Sequence, residues 1–506
     1  MNNLIPDWPI QATTMEGDAI VNLARMFQDN DRAVQLFLLT ETPGLRYQLH
    51  HNHLMDVAWW SVFDAIQGIT LKSGLPLTLN DLTWPKGAPI RFVYGIYRTI
   101  VFQGDKQIAS VYFHRDGFVW RVVWSDVAGK CVDQYDDRGF LSRRQWQDQD
   151  NQPFKTVWFD ERGNVVLTQT DQIQVAGAVA SRFRQATYPQ LADVVIEYAA
   201  AYLEEQDVTA LVAPYTTALR PLVDRLAVHY PTYGIVTESD LGQDMVLSPK
   251  LAGVATTTER TEKRVTAIAP VQINLHTISP YPTQLNLGHS TELTAIQIYW
   301  VVNHISLTRQ QGIYDQLLKY LAKDEHRMLV INCDSKEQTQ QFSDKWLHFI
   351  AQQLHIPEDS AGFTQLRSFS TKAPQWVGTL DKAQIAAIQQ WLSRLIVRVN
   401  SGFAEIQADL STARVVVDLG DVPHLFTQIA AISAGVPQIN RVATGLVDPH
   451  ENGIILDNDN KLIKALRYYM DTLTHWNESL VNNVQRIEDN AEESLLAAWG
   501  ELLKDE

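Results

Sequence analysis

Four clusters in this chain carry side chains whose types and spacing suit chemistry. His50, His51 and His53 stand in the order HHNH. Clustered imidazoles bind zinc or nickel. Adjacent histidines, however, point in different directions on a strand or a helix, so the stretch reads as a polar strand-to-helix connection. Asp133, Asp136 and Asp137 fall in DQYDDRG. Their carboxylates suit calcium, but the glycine and bidentate glutamate of an EF-hand are missing, and the stretch reads as a hairpin turn. Arg260, Lys263 and Arg264 in TERTEKR offer a phosphate three cations. Glu259 and Glu262 offset them, which is the pattern of a solvated face. Arg143 and Arg144 beside Trp146 supply the parts of a cation–π platform for a sugar or a peptide. On an exposed hairpin, ordinary surface packing is the favoured reading.

Familiar catalytic signatures are missing from the sequence. It has no G-x-S-x-G, no P-loop, no G-x-G-x-x-G after a strand, no H-E-x-x-H and no C-x-x-C. The expectation is a chain with no catalytic, cofactor-binding or metal-binding residue, and with no cofactor. Only two cysteines are present, Cys131 and Cys333, which fits a reducing compartment rather than a disulfide scaffold. Lys plus Arg number 42 against 58 for Asp plus Glu, a net charge of −16. That balance argues against a nucleic-acid partner, which needs a basic face.

The elements that must position these groups follow from periodicity. At 506 residues the chain is long enough for several domains. Its first stretch has β-α rhythm: an apolar start at Leu4-Ile5, a helical face of Ile20, Leu23, Ala24 and Phe27, the strand VQLFLLT, and a helix expected over residues 56–66. Over residues 90–169 the pattern changes to period-2 segments separated by QGDK, RDG, DDRG, DNQP and ERGN, an antiparallel meander whose aromatic residues fill a buried face. Helix and strand then alternate again. TALVAPY is strand-like, TALRPLVDRL is helix-like, and GIVTESD, MVLSP and VTAIAP continue the pattern. A turn-rich boundary falls at residues 277–289. The last third reads as strands IQIYWVV, RMLVINC, ARVVVDLG and IIL, with helices over 311–322, 336–354 and 381–397, one ending at Gly435, and one from Leu462. The tail carries an apolar stripe of Leu495, Leu496, Trp499 and Leu502. The N-terminus has no basic and apolar leader pattern, and no run reaches membrane-spanning length. The expectation is a cytoplasmic chain whose membrane contact, if any, is peripheral at the inner face.

Two stretches carry a resemblance. They are PGLRYQLHHNHLMDVAWWSVFDAIQGI at residues 43–69 and AAISAGVPQINRVATGLVDPHENGIIL at residues 430–456. Together they resemble the first of the three accessory Sec proteins of Gram-positive bacteria. Trp59-Trp60 and Pro437-Gln438-Ile439-Asn440 are the most specific parts. The resemblance implies an α/β, GT-B-like fold: two Rossmann-like domains with an extended antiparallel β-sheet inserted in the first. Residues 1–89 with 170–279 would form the first domain, 90–169 the inserted sheet, 280–480 the second domain and 481–506 a C-terminal helix that crosses back.

The same resemblance implies a non-catalytic part in accessory SecA/SecY export. The partners would be two companion accessory Sec proteins, the accessory SecA motor and a glycosylated serine-rich-repeat preprotein. Active retaining GT-B enzymes carry two glutamates in E-G-F-G…E-A-x-x-x-G. Anchored on Ser433-Ala434-Gly435, those positions fall here on Val422 and Ala430, and Pro423-His424-Leu425 replaces Gly-Phe-Gly. The N-terminal strand is followed by DWPIQATT, with no glycine to let backbone approach a phosphate. An active transferase adding N-acetylglucosamine to serine-rich protein, or a chaperone of such a transferase, are the competing readings.

Overall fold

A computed structural model describes residues 1–8, 15–126, 129–242, 245–269, 273–371 and 378–504. Three sheets organise it. The first is parallel and seven-stranded, in the order Leu275–Thr277, Gly253–Thr256, Thr232–Val236, Ala210–Pro214, Asn2–Leu4, Val34–Leu38, Ala58–Ser61. The second is antiparallel and ten-stranded, and leaves the first unit after the helix Val62–Gln67. The third is parallel and six-stranded, in the order Leu395–Val399, Arg327–Cys333, Ile296–Val301, Ala413–Asp418, Gln438–Asn440, Gly453–Ile455.

The central strands of both parallel sheets are apolar throughout, because helices cover both faces. Ile298, Tyr299, Trp300 and Val301 are fully buried, and so are Ala210, Leu211, Val212 and Ala213. Helix starts follow their caps. Asp18 accepts from the Val21 N–H at 2.9 Å to open Ala19–Asp29, and Ser335 with Gln338 forms a capping box before Lys336–Gln353. Gly435 takes φ +69° just past the helix Leu425–Ser433, a conformation that glycine reaches without Cβ strain.

The antiparallel sheet pairs hairpin by hairpin from Ile90–Tyr94 onward. It does not stop at Gln169. Ile173–Val175 and Thr187–Tyr188 extend it on the far side, pairs too short to leave a period-2 signature. The expected helix over 56–66 is instead the edge strand Ala58–Ser61 followed by Val62–Gln67. Its pairing comes from Val34–Leu38, a partner that local spacing does not reveal, and Trp60, Phe37 and Tyr202 form a cluster of mutually stacked rings, with Trp60 4.9 Å from Phe37 and 4.4 Å from Tyr202. The helix expected over 381–397 ends at Leu392, and its β-branched continuation is the edge strand Leu395–Val399. MVLSP forms no strand; of VTAIAP, residues 265–268 are the end of the helix Glu259–Ile268, and residue 270 lies outside the described residues. The strands of that region are Gly253–Thr256 and Leu275–Thr277.

The C-terminal part is two helices, Leu473–Asp489 and Glu492–Leu503. The first packs on the second parallel unit, where Ile487 meets Ile429 and Ile432. The second crosses back. Leu495, Leu496, Trp499 and Leu502 join the core beneath the first sheet with Ile20 and Val212. Gly253 permits this approach, since a Cβ there would lie 2.8 Å from the Leu502 Cδ1.

The inserted sheet is fastened to the first unit by buried ion pairs. Arg138 bonds Asp64 at 2.8 Å and Asp136 at 2.7 Å, and Arg46 bonds Asp137 at 3.2 Å. The Asp137 N–H also donates to the Pro43 carbonyl at 2.7 Å.

Candidate functional site

The second parallel unit has its first strand, Ile296–Val301, beside its fourth, Ala413–Asp418. Chain connections run in opposite directions from that pair, so its carboxyl end is the topological switch point where doubly wound sheets bind ligands. Residues 302–306 and 419–424 form the two lips.

Here the lips are tied to each other. The Asp421 N–H donates to the His304 carbonyl at 3.1 Å. Gly420 lies so close that a Cβ would sit 2.5 Å from the Asn303 carbonyl oxygen. Arg309 spans the gap, donating to the Leu419 carbonyl at 3.0 Å, to Asp421 at 3.1 Å and to Asp459 at 2.8 Å. The hydrogen bond it donates to Asp459 pushes the Arg309 guanidinium above its ordinary value.

Beneath the lips lies a buried polar network. Asp418 accepts from the His424 N–H at 2.8 Å, from Gln428 Nε2 at 2.8 Å and from the Gly420 N–H at 3.3 Å. Gln428 accepts in turn from Thr444 Oγ1 at 2.9 Å. His424 caps the helix Leu425–Ser433, its Nδ1 accepting from the Thr427 N–H at 3.3 Å. Burial holds the imidazole below its usual value, and with Nδ1 as acceptor the ring is the Nε2–H tautomer.

Above the network, the first unit closes over the second. The helix Glu259–Ile268 faces residues 441–443 and 456–457 across a cavity of about 750 Å³. Arg260, Lys263 and Arg264 line it with Arg441, Asp421 and Asp457. TERTEKR is therefore a wall of the interdomain cleft and not simply a solvated face. Its cations are matched: Arg260 pairs with Glu238 at 3.3 Å, Arg264 binds the same carboxylate, and Lys263 lies 3.8 Å from Glu259. Arg441 lies 3.4 Å from Asp421. Glu238 is the partner that sequence reasoning missed. It follows the strand Thr232–Val236, and only the fold brings it to the helix.

Val422 is half-buried on the lip, and Ala430 is buried among Tyr281, Phe403 and Phe426, at a pocket that Asn22 and Arg25 of the first unit also line. Between them the two side chains offer the cleft only alkyl groups. In DWPIQATT, residues 9–14 lie outside the described residues.

The remaining sequence candidates are spent on structure. His51 Nε2 lies 3.0 Å and His114 Nδ1 2.9 Å from the same Asp116 oxygen, a link between the helix Leu45–His51 and the inserted sheet. His50 sits edge-on to His51, and His53 follows the helix at φ +54°. Among the described residues no group of three or more His, Cys, Asp and Glu side chains is placed to hold a metal ion. Asp133 receives Arg144 and the Trp124 indole N–H, the latter at 2.8 Å. Asp136 and Asp137 are the anchors described above, so the turn they occupy is buried. Desolvation raises both carboxyls, Asp137 to about 6. Arg143 bonds Glu41 at 2.9 Å, and Lys155 covers the Trp146 ring at 4.8 Å. The proposed guanidinium–indole platform is occupied by these intramolecular partners.

Two Rossmann-type sheets, a cleft between them and a C-terminal helix that returns to the first define a GT-B-like fold. The pneumococcal O-GlcNAc transferase GtfA, solved with UDP and GlcNAc, has this fold: TM-score 0.62 at 11% identity, over 100% of this chain and 98% of that one. The chain belongs to the family of the accessory Sec system protein Asp, the first of that numbered series, whose model matches residues 2–506. The Streptococcus gordonii member is 25% identical over 521 residues, covering 99% of this chain and 96% of the relative. A crystal structure of accessory secretory proteins 1, 2 and 3 in Streptococcus pneumoniae contains a chain with the same fold. Its TM-score is 0.74 at 23% identity, over 100% of this chain and 99% of that one. Among the described residues no helix is long and apolar enough to cross a membrane.

Proposed function

We propose that this accessory Sec system protein works without catalysis, on a transferase scaffold whose donor site has degenerated. The observation that carries the reading is the state of the switch point. Its two lips bond to each other through Asp421 and His304, and Arg309 fills the gap. A nucleoside diphosphate would need N–H groups such as that of Asp421 free to donate to its phosphates. The positions that hold carboxylates in retaining enzymes are Val422 and Ala430, which cannot stabilise developing charge.

On this reading the chain acts by protein contact on the cytoplasmic side. It assembles with two companion accessory Sec proteins, engages a glycosylated serine-rich-repeat adhesin, and delivers it to the accessory SecA motor. The solved assembly of accessory secretory proteins 1, 2 and 3, which includes a chain of this fold, supports the companionship. The purified protein, incubated with UDP-N-acetylglucosamine and a serine-rich peptide, is expected neither to release UDP nor to glycosylate the peptide. Turnover abolished by Arg441→Ala or Asp421→Ala would contradict the reading.

A further inference from the structure

The strand Ile90–Tyr94 is the outer edge of the ten-stranded sheet, with a neighbour on one side only. Its register fixes which backbone groups are free. The Gly95 N–H donates to the Arg98 carbonyl at 2.9 Å, so Gly95 and Arg98 are a hydrogen-bonded pair. Such pairs alternate along an antiparallel ladder. Val93 with Ile100 and Arg91 with Phe102 are therefore bonded pairs. The N–H and C=O groups of Ile90, Phe92 and Tyr94 point away from the sheet.

Natural edges are normally protected by lysine, proline, a bulge or a covering element. This strand has no lysine or proline, its ladder with Arg98–Gln103 has no register shift, and the hairpin beyond it stands in solvent. Tyr94 is 72% exposed, Ile96 91% and Tyr97 80%.

The side chains state what would fit. On one face Phe92 lies 5.7 Å from Trp84 and 6.3 Å from Tyr94, and Trp84 lies 5.6 Å from Trp124. This aromatic row runs out to the edge and ends unpartnered. The opposite face carries Arg91, stacked on Phe102 at 4.6 Å, and Arg98 at the hairpin. Among the described residues neither arginine is in an ion pair, in a chain whose net charge is −16. A strand laid along this edge would set alternate residues beside the aromatic row and beside the arginines.

We propose that the edge strand Ile90–Tyr94 accepts an extended segment of another polypeptide as an additional strand, one that alternates apolar with acidic residues. Main-chain bonds to Ile90, Phe92 and Tyr94 supply the attachment, and the alternation supplies the selectivity. A second copy of this chain fits poorly, since antiparallel self-pairing would bring both sets of arginines onto one face. The inference does not depend on the absence of catalysis or on which protein contributes the segment.

Amide hydrogen exchange on the full chain tests it, with a synthetic peptide alternating valine with glutamate as the probe. The peptide is expected to slow exchange at Phe92 and Tyr94 by at least about tenfold while leaving Arg91 and Val93 unchanged. Tyr94→Pro removes an outward N–H at an edge position that tolerates proline. It should abolish the protection, whereas Tyr94→Ala should retain it and a valine–lysine peptide should give none. If Tyr94→Pro lowers thermal stability, the same valine–glutamate peptide methylated on alternate backbone nitrogens replaces it and should fail to protect. Absent protection, protection insensitive to these blocks, or protection that appears with rising protein concentration and no peptide would each overturn the proposal.

Discussion

Asp421 and His304 are joined through their backbones by a 3.1 Å hydrogen bond that links the loops leaving the two central strands of the second sheet. In a doubly wound sheet those loops diverge, and the crevice between them receives the ligand. Here Gly420, packed against the Asn303 carbonyl, lets the loops meet. Asp418 below and Arg309 beside them hold the closure.

Arg309 is the side chain on which that closure most depends. Its removal leaves Asp459 and the Leu419 carbonyl without their donor. Arg309→Met is expected to lower stability by about 2–3 kcal/mol in urea unfolding, with a large coupling to Asp459→Asn in a double-mutant cycle. Additive effects would show that the guanidinium is not the tie.

Restoring carboxylates should not restore an enzyme. Ala430 is 5% exposed, packed with Phe426 and Phe403. A glutamate there would crowd its longer side chain against these aromatic rings, so Ala430→Glu should cost about 1–3 kcal/mol. The double variant with Val422→Glu is expected to remain without UDP-sugar turnover. Thermal unfolding and a UDP-release assay decide both points.

Burial of Asp137 makes the attachment of the inserted sheet pH-dependent. Its carboxyl titrates at about 6 in the folded chain against an ordinary value of 3.8. With the folded value raised, the contribution to stability is complete below about pH 4 and is lost as pH rises through about 6. Asp137→Asn should remove this window, changing the stability difference between about pH 4 and about pH 7 by about 3 kcal/mol. Equal pH slopes for both proteins would refute it.

The returning tail should be a local stability unit. Leu502 is fully buried against the first sheet, and Trp499 is nearly so. Leu502→Ala is expected to cost about 2–5 kcal/mol. Limited proteolysis should then cut near residues 490–491, between the last two helices. Unchanged protection of the tail would argue that other contacts hold it.

The parts legible in the sequence were those whose cause is local. IQIYWVV and ARVVVDLG announce buried strands by composition, and the hairpins from Ile90 announce themselves by alternation. What escaped depends on neighbours distant in sequence. Ala58–Ser61 and Leu395–Val399 are strands because Val34–Leu38 and Arg327–Cys333 lie beside them. TERTEKR reads as a solvated face because nothing local places Glu238, Arg441 and the second unit around it. Likewise, DQYDDRG gives no hint that Arg46 and Asp64 wait at the joint.

Co-expression of this chain with the two companion accessory Sec proteins, followed by size-exclusion chromatography, tests the central claim most directly. The account predicts one stable complex at micromolar concentration and moderate salt, burying at least about 1,200 Å² of surface in total. Elution of this chain alone, separate from both companions, would contradict it.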